Sequence, residues 1–314
     1  MKNIAVFGAK GFIGKNTVCY LQKKDNYKII PVSRESVDIL DEDAVRKFFE
    51  KEQVDIVVHC ANQGGTRKKT DDKADIVANN LRMFFNIERC IKPGMKMINF
   101  GSGAQYDKAR DLIKVSESEF DIRIPKDDYG YSKYVMSKLI KERSKDTRKG
   151  KIYNPVIFGM YGIGEDYTYR FISNTIVKNL LGMPIIINQN AVFDYLYVKD
   201  YFKVLDMLLE DNWKINEFNL TPVESVSLLD IAELVNEVGD FKSEIIIKNE
   251  GMNYEYTGDN ACLLEEIGYD FKFTPYIEAI ASMYEYYAEH LDAIDILKVK
   301  EDSLLQFCKQ RKIF

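Results

Sequence analysis

Two side chains four residues apart, Tyr129 and Lys133, form the pair best suited to proton transfer in this sequence. The surrounding pattern predicts a helix to about Arg148, and a spacing of four places both side chains on one face, one turn apart. A free phenol has a pKa of about 10, which is too high for acid–base chemistry at neutral pH. A neighbouring ammonium favours the phenolate and lowers that pKa. Tyr129 is therefore a candidate proton donor or acceptor, and Lys133 a candidate for tuning it.

Ser102 is the third candidate, because it follows a predicted strand over residues 96–100. Ligands of open α/β sheets bind beyond the carboxyl ends of the strands, so the Ser102 hydroxyl is placed to hydrogen-bond a carbonyl oxygen. Tyrosine and lysine at helical spacing are common by chance. The pair gains meaning from its order and spacing relative to Ser102 and to a glycine-rich turn at the start of the chain.

That turn follows the run Ile4–Phe7, four apolar residues typical of a strand buried on both faces. Gly8, Gly11 and Gly14 come next, and a helix is predicted from Lys15 to Lys24. Glycines let the backbone approach phosphates closely, and the free N–H groups of a helix N-terminus attract anions. The arrangement predicts a site for the pyrophosphate of a dinucleotide. A glycine-rich turn without a ligand is the alternative.

The end of the next predicted strand, Tyr27–Val32, bears on which dinucleotide binds. Domains that prefer NAD usually carry an acidic residue there, which binds the ribose hydroxyls. Here Ser33 and Arg34 come first, and an arginine can pair with the 2′-phosphate of NADPH. NADPH is the favoured cofactor, and NAD(H) stays possible because Glu35 follows directly.

Composition excludes several classes of function. The 314 residues carry a net charge of −5, which argues against non-specific nucleic-acid binding. No apolar run approaches the ~18 residues of a membrane helix, and the N-terminus leads straight into a strand without a signal peptide. The five cysteines are odd in number and scattered, which favours a reducing, cytoplasmic location. With only His59 and His290 as imidazoles, we expect no metal site.

The order of predicted elements indicates the fold class. Strand and helix patterns alternate as far as Ile157, which predicts an α/β protein with a Rossmann-like, doubly wound parallel sheet. Beyond Gly164 the elements are shorter and mixed. We expect a dinucleotide-binding domain over residues 1–165 and a smaller α/β substrate domain with a helical tail over residues 166–314. Some crossing of the chain between the two is expected. Residues 107–127 are predicted to be irregular, and residues 193–197 are predicted to form a short strand.

These motifs together resemble the extended short-chain dehydrogenases/reductases that act on nucleotide sugars, also called the NAD-dependent epimerase/dehydratase family. The resemblance covers about residues 1–285. It rests on the three glycines, the Ser102–Tyr129–Lys133 set and further stretches in chain order: His59–Ala61, Asn80 with Asn86, Tyr161–Glu165 and Asp194–Asp200.

The resemblance implies roles for individual residues. Ser102, Tyr129 and Lys133 would be the catalytic triad, with Tyr129 exchanging a proton with a sugar oxygen and Lys133 also holding the nicotinamide ribose. The implied cofactor-binding residues are Gly8, Gly11, Phe12, Ile13, Gly14, Ser33, Arg34, Asp38, Ile39, Cys60, Ala61, Asn62, Asn80, Tyr129, Lys133, Pro155, Val156 and Ile157. The implied substrate-binding residues are Gln63, Gly64, Gly65, Ser102, Gly103, Ala104, Arg170 and Lys199.

Within that family the sequence is most similar to fucose synthases and 4-keto-sugar reductases. Fucose synthases epimerise with a cysteine two residues after the serine and a histidine near Arg170. Here Ala104 takes the first place, and no histidine lies between positions 59 and 290. Dehydratases carry an acidic pair after the serine, where this chain has Gly103 and Ala104. Simple reduction of a ketone is therefore the expectation.

One further departure concerns the substrate. The arginine that contacts the substrate diphosphate in relatives is Phe193 here. Either Lys199, Arg170 or the basic stretch Arg67–Lys69 replaces it, or the substrate is not a usual nucleoside diphosphate sugar. A redox-neutral, NAD-dependent epimerase is the nearest alternative function, and a dinucleotide-binding regulator without turnover is a third. The resemblance also implies a homodimer.

Overall fold

The computed structural model describes residues 1–65, 75–146, 149–210, 213–306, 308 and 310–311. The strands are β1 Lys2–Phe7, β2 Tyr27–Val32, β3 Ile56–His59, β4 Lys96–Asn99, β5 Gly101–Ser102, β6 Leu112–Val115, β7 Lys151–Ile157, β8 Gly159–Tyr161, β9 Ile185–Asn190, β10 Val192–Phe193, β11 Tyr195–Tyr197, β12 Glu217–Asn219, β13 Val226–Ser227, β14 Ile245–Met252 and β15 Tyr256–Gly258.

The helices alternate with the strands in the first half of the chain and become more frequent toward its end. They are α1 Phe12–Leu21, α2 Glu42–Lys51, α3 Ile76–Glu88, α4 Asp128–Arg143, α5 Phe171–Leu180, α6 Val198–Glu210, α7 Leu228–Val238, α8 Ala261–Ile267, α9 Tyr276–Glu289, α10 Ile296–Glu301 and α11 Ser303–Gln306.

The large sheet has the order β12-β7-β4-β3-β1-β2, all parallel, with β5 also pairing with β7. β1 is buried on both faces: Ile4 and Val6 belong to one apolar core, whereas Ala5 and Phe7 belong to the other. Burial of each large apolar side chain contributes roughly 1.5–3 kcal/mol. The structure confirms the Rossmann-like parallel sheet. Because β1 lies between β2 and β3, the chain reverses its direction of winding there, and this is where such sheets bind ligands.

A second, smaller sheet has the order β13-β10-β15-β6. β6 comes from the first half of the chain, and β12 of the large sheet comes from the second half. The chain therefore crosses in both directions, and the two-domain boundary at residue 165 stays a prediction.

Two local predictions differ from the structure. The stretch 107–127 was expected to be irregular, yet it contains β6, which pairs with β15. Residues 193–197 were expected to form one strand, but they divide into β10 and β11 at Asp194. The buried Asp194 carboxylate accepts hydrogen bonds from the Ser225 hydroxyl and the Gly258 backbone, so it fixes the point where the chain leaves one sheet for another. The basic stretch Arg67–Lys69 lies outside the described residues.

Candidate active site

A cavity of about 1430 Å³ lies beyond the carboxyl ends of the parallel strands, and we call it the cleft. Its glycine end is defined by the turn after β1 and by the loop after β2. Its aromatic end is defined by side chains that include Phe158, Phe193, Tyr195, Tyr254 and Tyr256. Single small-molecule sites usually occupy ≈ 300–1,000 Å³, so the cleft has room for two ligands.

Backbone sterics explain the glycines of the first turn. Gly8 has a φ of +80°, and a Cβ there would lie 2.7 Å from the Ala61 nitrogen. A Cβ on Gly14 would lie 2.2 Å from the Gly8 oxygen, so only glycine lets α1 pack this closely on the turn. Gly11 is less confined by neighbouring atoms. It precedes α1 and has no side chain that could cap the free N–H groups of that helix. The turn thus presents close backbone and the N-terminus of α1 to the cleft, as a phosphate site requires.

Glu35 does not neutralise Arg34. Its carboxylate pairs with Lys10 at 2.7 Å and accepts a hydrogen bond from the Ser33 hydroxyl at 2.6 Å. The Lys10 ammonium, with Ser33, lowers the pKa of Glu35 to about 2. Arg34 lines the glycine end and forms no ion pair with another described residue. An exposed guanidinium at this place is suited to bind a phosphate.

The loop after β3 is held by one buried amide. Asn80 on α3 accepts a hydrogen bond from the Gln63 backbone N–H at 2.7 Å and donates to the Gln63 carbonyl at 3.0 Å. Asn80 itself does not line the cleft. Its role in this structure is to position Gln63, Gly64 and Gly65, which do line it.

Helix α4 brings Tyr129 toward Ser102 because its first turn packs unusually close to the strand ends. The Asp127 carboxylate accepts a hydrogen bond from the Gly130 N–H at 3.1 Å, which caps the helix. A Cβ on Gly130 would lie 2.7 Å from the Ala104 carbonyl oxygen. Only glycine therefore lets α4 start against the turn that carries Ser102 and Ala104.

The three predicted catalytic residues meet in the middle of the cleft. Ser102 and Lys133 are buried, and Tyr129 is partly exposed. Burial raises the pKa of Tyr129, whereas its hydrogen bond with Ser102 and the charge of Arg170 act to lower it. Burial outweighs both, so Tyr129 is a phenol in this state and can donate a proton. The sequence predicted that Lys133 would lower the pKa of Tyr129, but the charge of Lys133 is not among the causes of the Tyr129 pKa shift in this structure.

The Lys133 ammonium donates a hydrogen bond to the Phe100 carbonyl at 2.6 Å and lies 5.7 Å from the centre of the Tyr129 ring. Burial lowers the pKa of Lys133 to about 8. His59 lies beneath it, and burial together with the charge of Lys133 lowers the His59 pKa to about 3. His59 is thus a neutral packing residue, and the remaining N–H donors of Lys133 are available to a ligand.

The aromatic end contains residues that the sequence did not single out for the site. The Tyr256 hydroxyl lies 3.5 Å from the Ser102 hydroxyl, and its ring lies 6.2 Å from that of Phe193. Tyr195 lies 5.3 Å from Phe193. Tyrosines at alternate positions 254 and 256 were the only sequence pattern that could have indicated this surface, and such pairs usually serve packing.

Of the residues that the sequence assigned to cofactor or substrate, all but five line the cleft. The five that do not are Asn80, Gly103, Pro155, Val156 and Lys199. Val156 is fully buried in β7, and Gly103 faces the Phe158 ring. Lys199 is exposed, with its ammonium 5.7 Å from the centre of the Tyr197 ring. Arg170, at the start of α5, is the candidate diphosphate-binding cation that does line the cleft.

The parallel sheet, the glycine turn on its first strand and the cleft at the reversal of winding define the class of NAD(P)-dependent enzymes with an extended short-chain dehydrogenase fold. A model of the NAD dependent epimerase/dehydratase family matches residues 4–220, and the chain belongs to this family.

Individual relatives are distant. The chain is 24% identical over 282 residues to a UDP-glucose 4-epimerase of Pasteurella multocida, covering 76% of this chain and 83% of that protein. It is 24% identical over 260 residues to a GDP-L-fucose synthase of Sinorhizobium fredii, covering 78% and 82%. The structure resembles a GDP-L-fucose synthetase from Naegleria fowleri bound to NADP, with a TM-score of 0.78, 19% identity and coverage of 93% and 94%.

The residues present fit a dinucleotide. The close backbone of the glycine turn, the N-terminus of α1, the exposed Arg34 and the remaining Lys133 donors lie along one cleft. Among the described residues, no three His, Cys, Asp or Glu side chains are grouped as a metal site. No helix in the described ranges combines the length and apolarity needed to cross a membrane.

Proposed function

We propose that this protein reduces a keto group on a nucleotide-linked sugar with NADPH. The observation that carries the proposal is the convergence of Ser102, Tyr129 and Lys133 beside a glycine turn that fits a dinucleotide. When bound, NADPH supplies a hydride from its nicotinamide C4 to the carbonyl carbon.

The chain's own residues supply orientation and the proton. The Ser102 hydroxyl donates a hydrogen bond to the carbonyl oxygen and so polarises it. Tyr129 is a phenol and gives its proton to the same oxygen as negative charge develops there. Lys133 holds the nicotinamide ribose with the donors that Phe100 leaves free. Hydride plus proton converts the ketone to a secondary alcohol, so electrons and atoms balance.

Two absences of side-chain chemistry favour reduction alone. Ala104 is buried and has no acid–base group, and the sequence has no histidine between positions 59 and 290. Epimerisation of neighbouring carbons needs a second acid–base pair, for which neither position supplies a group. A redox-neutral 4-epimerase uses only the triad and a tightly held NAD, so it is the second candidate, favoured by the similarity to UDP-glucose 4-epimerases.

The proposal also includes the cofactor preference, the cellular location, the partners and the oligomeric state. NADPH over NAD is supported by Arg34, which forms no ion pair with the part of the chain that the structure describes, and by the pairing of Glu35 with Lys10. A reducing, cytoplasmic setting is supported by five free cysteines. The substrate is a soluble nucleotide sugar, with no nucleic-acid or membrane partner, and a homodimer stays a prediction.

The proposal is tested by Tyr129→Phe, with Tyr131→Phe as its matched control. Tyr131 lies on the same helix two residues later and is 40% exposed. Removing one general acid costs about 10²–10⁴-fold in rate. We therefore expect turnover of 4-keto sugars linked to GDP, UDP or dTDP to fall by that factor in Tyr129→Phe, while NADPH affinity stays within twofold by fluorescence titration. Tyr131→Phe should match the wild type.

Normal turnover in Tyr129→Phe would overturn the assignment of the proton donor. Equal losses in both tyrosine variants would also overturn it, because they would indicate a general effect on helix α4.

A further inference from the structure

The C-terminal segment, by which we mean the described residues 303–306, 308 and 310–311, returns to the cleft after helix α10. Helix α10 packs Val299 into the main core, and Asp302 then turns the chain with a left-handed φ of +50°. Its carboxylate pairs at 2.7 Å with Lys178, a lysine that is only 2% exposed. A buried ammonium requires such a partner, so the route of the segment past α5 is fixed by this ion pair.

After that turn, Leu304, Leu305 and Cys308 line the cleft. Both leucines are half-buried, although they belong to the last dozen residues of the chain. They face the part of the cleft that is also lined by Asn188 and Tyr254. The end of the chain is thus a wall of the aromatic end.

Arg311 anchors the far end of the segment to two different elements. Its backbone N–H donates to the Gln189 side-chain oxygen at 2.9 Å, and its carbonyl accepts from the Gln189 side-chain nitrogen at 3.3 Å. Gln189 is only 3% exposed. Without the segment, this buried amide would lose two of its hydrogen bonds, which is unfavourable. The position of Arg311 is therefore specified by the core and is not a chance surface contact.

The Arg311 side chain makes the second connection. Its guanidinium lies 3.0 Å from the Asp111 carboxylate and 4.6 Å from the centre of the Tyr254 ring. Asp111 also accepts a hydrogen bond from the Glu255 backbone N–H. Arg311 therefore connects the C-terminal segment to the start of β6 and to the approach to β15.

This anchor is connected to the catalytic residues through the stretch Tyr254–Tyr256. Tyr256 faces the Ser102 hydroxyl, and Tyr254, under Arg311, is two residues earlier in the chain, at most about 7 Å away along it. A ligand whose reacting carbon lies at Ser102 and which continues along the aromatic end must pass the C-terminal segment.

We propose that the C-terminal segment, held by Arg311 to Asp111 and Gln189, forms the wall that binds the nucleoside diphosphate part of the substrate. The proposal rests on the proposed function for the identity of that ligand. Because Asp111 neutralises the charge of Arg311, Arg311 acts as a positioning residue for the segment. Leu304 and Leu305, which line the cleft, exclude water from the bound nucleotide.

The test uses the full-length protein in excess NADPH, titrated with GDP and with UDP in a calorimeter. We expect Arg311→Met and Asp111→Asn each to raise the Kd of the better-bound diphosphate about tenfold, because a segment that is no longer ordered must be ordered on binding. Arg311→Lys, which can still pair with Asp111, should recover most of the affinity. The control Lys298→Met removes a cation of the same tail that pairs with its helix neighbour Asp295 and so connects the tail neither to Asp111 nor to Gln189.

The Asp111→Asn result separates positioning from direct phosphate binding. If Arg311 contacted the diphosphate itself, releasing it from Asp111 would tighten binding, and that result would overturn the proposal. Unchanged Kd values in both variants would also overturn it. A wild type that binds neither of these diphosphates, nor dTDP in a third titration, would overturn both this inference and the proposed function, whereas normal turnover in Tyr129→Phe overturns only the latter.

A second measurement reports on the segment directly. The Cys308 thiol lines the cleft, so its alkylation by iodoacetamide can be followed by peptide mass spectrometry. The nucleoside diphosphate should slow this reaction in the wild type and in Lys298→Met, and have little effect in Arg311→Met. Equal protection in all three proteins would contradict a wall formed by this segment.

Discussion

The two ends of the cleft are built in different ways. The glycine end consists of one continuous stretch, in which β1, the glycine turn and α1 present backbone groups to a ligand. The aromatic end is assembled from side chains of three regions that are far apart in the chain: the neighbouring strands β10 and β11, the approach to β15, and the C-terminal segment.

This difference has a functional consequence. A backbone site tolerates few changes, because its geometry depends on glycine, and it binds what every dinucleotide shares. A site made of side chains from separate elements can change one residue at a time, as the replacement of an expected arginine by Phe193 illustrates. In the proposed function, the glycine end selects the cofactor class and the aromatic end selects the substrate.

Lys133 lies where the two ends meet, and its replacement should have the largest effect. We expect Lys133→Met to lower turnover by about 10³-fold or more, because both the ribose contact and the charge beside Tyr129 are lost. Since burial lowers the pKa of Lys133 to about 8 from 10.5 in the unfolded chain, the ammonium destabilises the fold below pH 8. That penalty fades as pH rises from about 8 to about 10.5, because the folded protein releases the proton first.

The variant should therefore be more thermostable than the wild type at pH 7, and this advantage should shrink by pH 10. The pKa difference sets its upper limit at roughly 3 kcal/mol, and loss of the hydrogen bond to Phe100 reduces it. Melting temperatures of both proteins across this range measure the effect. A difference in melting temperature that is constant with pH would contradict a buried, titrating Lys133.

At the glycine end, the loss of stability caused by an added methyl group should depend on how close the nearest backbone atom lies. Gly14→Ala places a Cβ 2.2 Å from the Gly8 oxygen, so we expect a loss of about 2–4 kcal/mol in stability and of dinucleotide binding. Gly11→Ala meets its nearest atom at 3.4 Å and should fold normally. Urea unfolding of both variants makes the comparison, and equal stability of the two would contradict the backbone model.

Arg34 should determine cofactor choice without affecting the fold. We expect Arg34→Leu to lower the preference for NADPH over NADH about 10- to 100-fold, since a charge-assisted contact to the 2′-phosphate is lost. The control Arg46→Leu removes an exposed arginine that pairs within α2. The Kd values for both cofactors provide the measurement, and an unchanged ratio in Arg34→Leu would make Arg34 an ordinary surface residue.

At the aromatic end, the smallest expected effect is that of Tyr256→Phe. Its hydroxyl contacts Ser102 at 3.5 Å, a long hydrogen bond, so we expect turnover to fall only about three- to tenfold, with NADPH affinity unchanged. Tyr269→Phe, at a 68% exposed position, is the control. A loss as large as that of Tyr129→Phe would contradict this secondary role and give Tyr256 an equal part in proton transfer.

The sequence predicted the glycine end well because local rules govern it. A buried strand, glycines at fixed spacing and a helix start are encoded within fourteen residues, and the Tyr129–Lys133 pair within one helical turn. The close packing of the start of α4 requires glycine at position 130, because the Ala104 carbonyl oxygen lies where a Cβ would be. No local sequence pattern reveals this contact.

The aromatic end could not be predicted in the same way. Tyr256 reaches Ser102 across 154 positions, and Arg311 reaches Asp111 across 200. Short strands such as β6 and β15 carry too few residues for a period to be recognised. The motif around Lys199 indicated a site residue, yet the Lys199 side chain is exposed outside the cleft. Neighbouring residues on a helix point in directions about 100° apart, so a motif alone does not determine which side chain faces the cleft.

The central claim is net hydride transfer to a sugar, and isotope transfer tests it most directly. The purified protein would be incubated with NADPH deuterated at the transferable C4 position and with a 4-keto nucleotide sugar, and the sugar product analysed by mass spectrometry. We predict one deuterium per product molecule and one equivalent of NADP⁺ formed. Interconversion of sugars without deuterium uptake and without net cofactor oxidation would contradict the account and identify an epimerase.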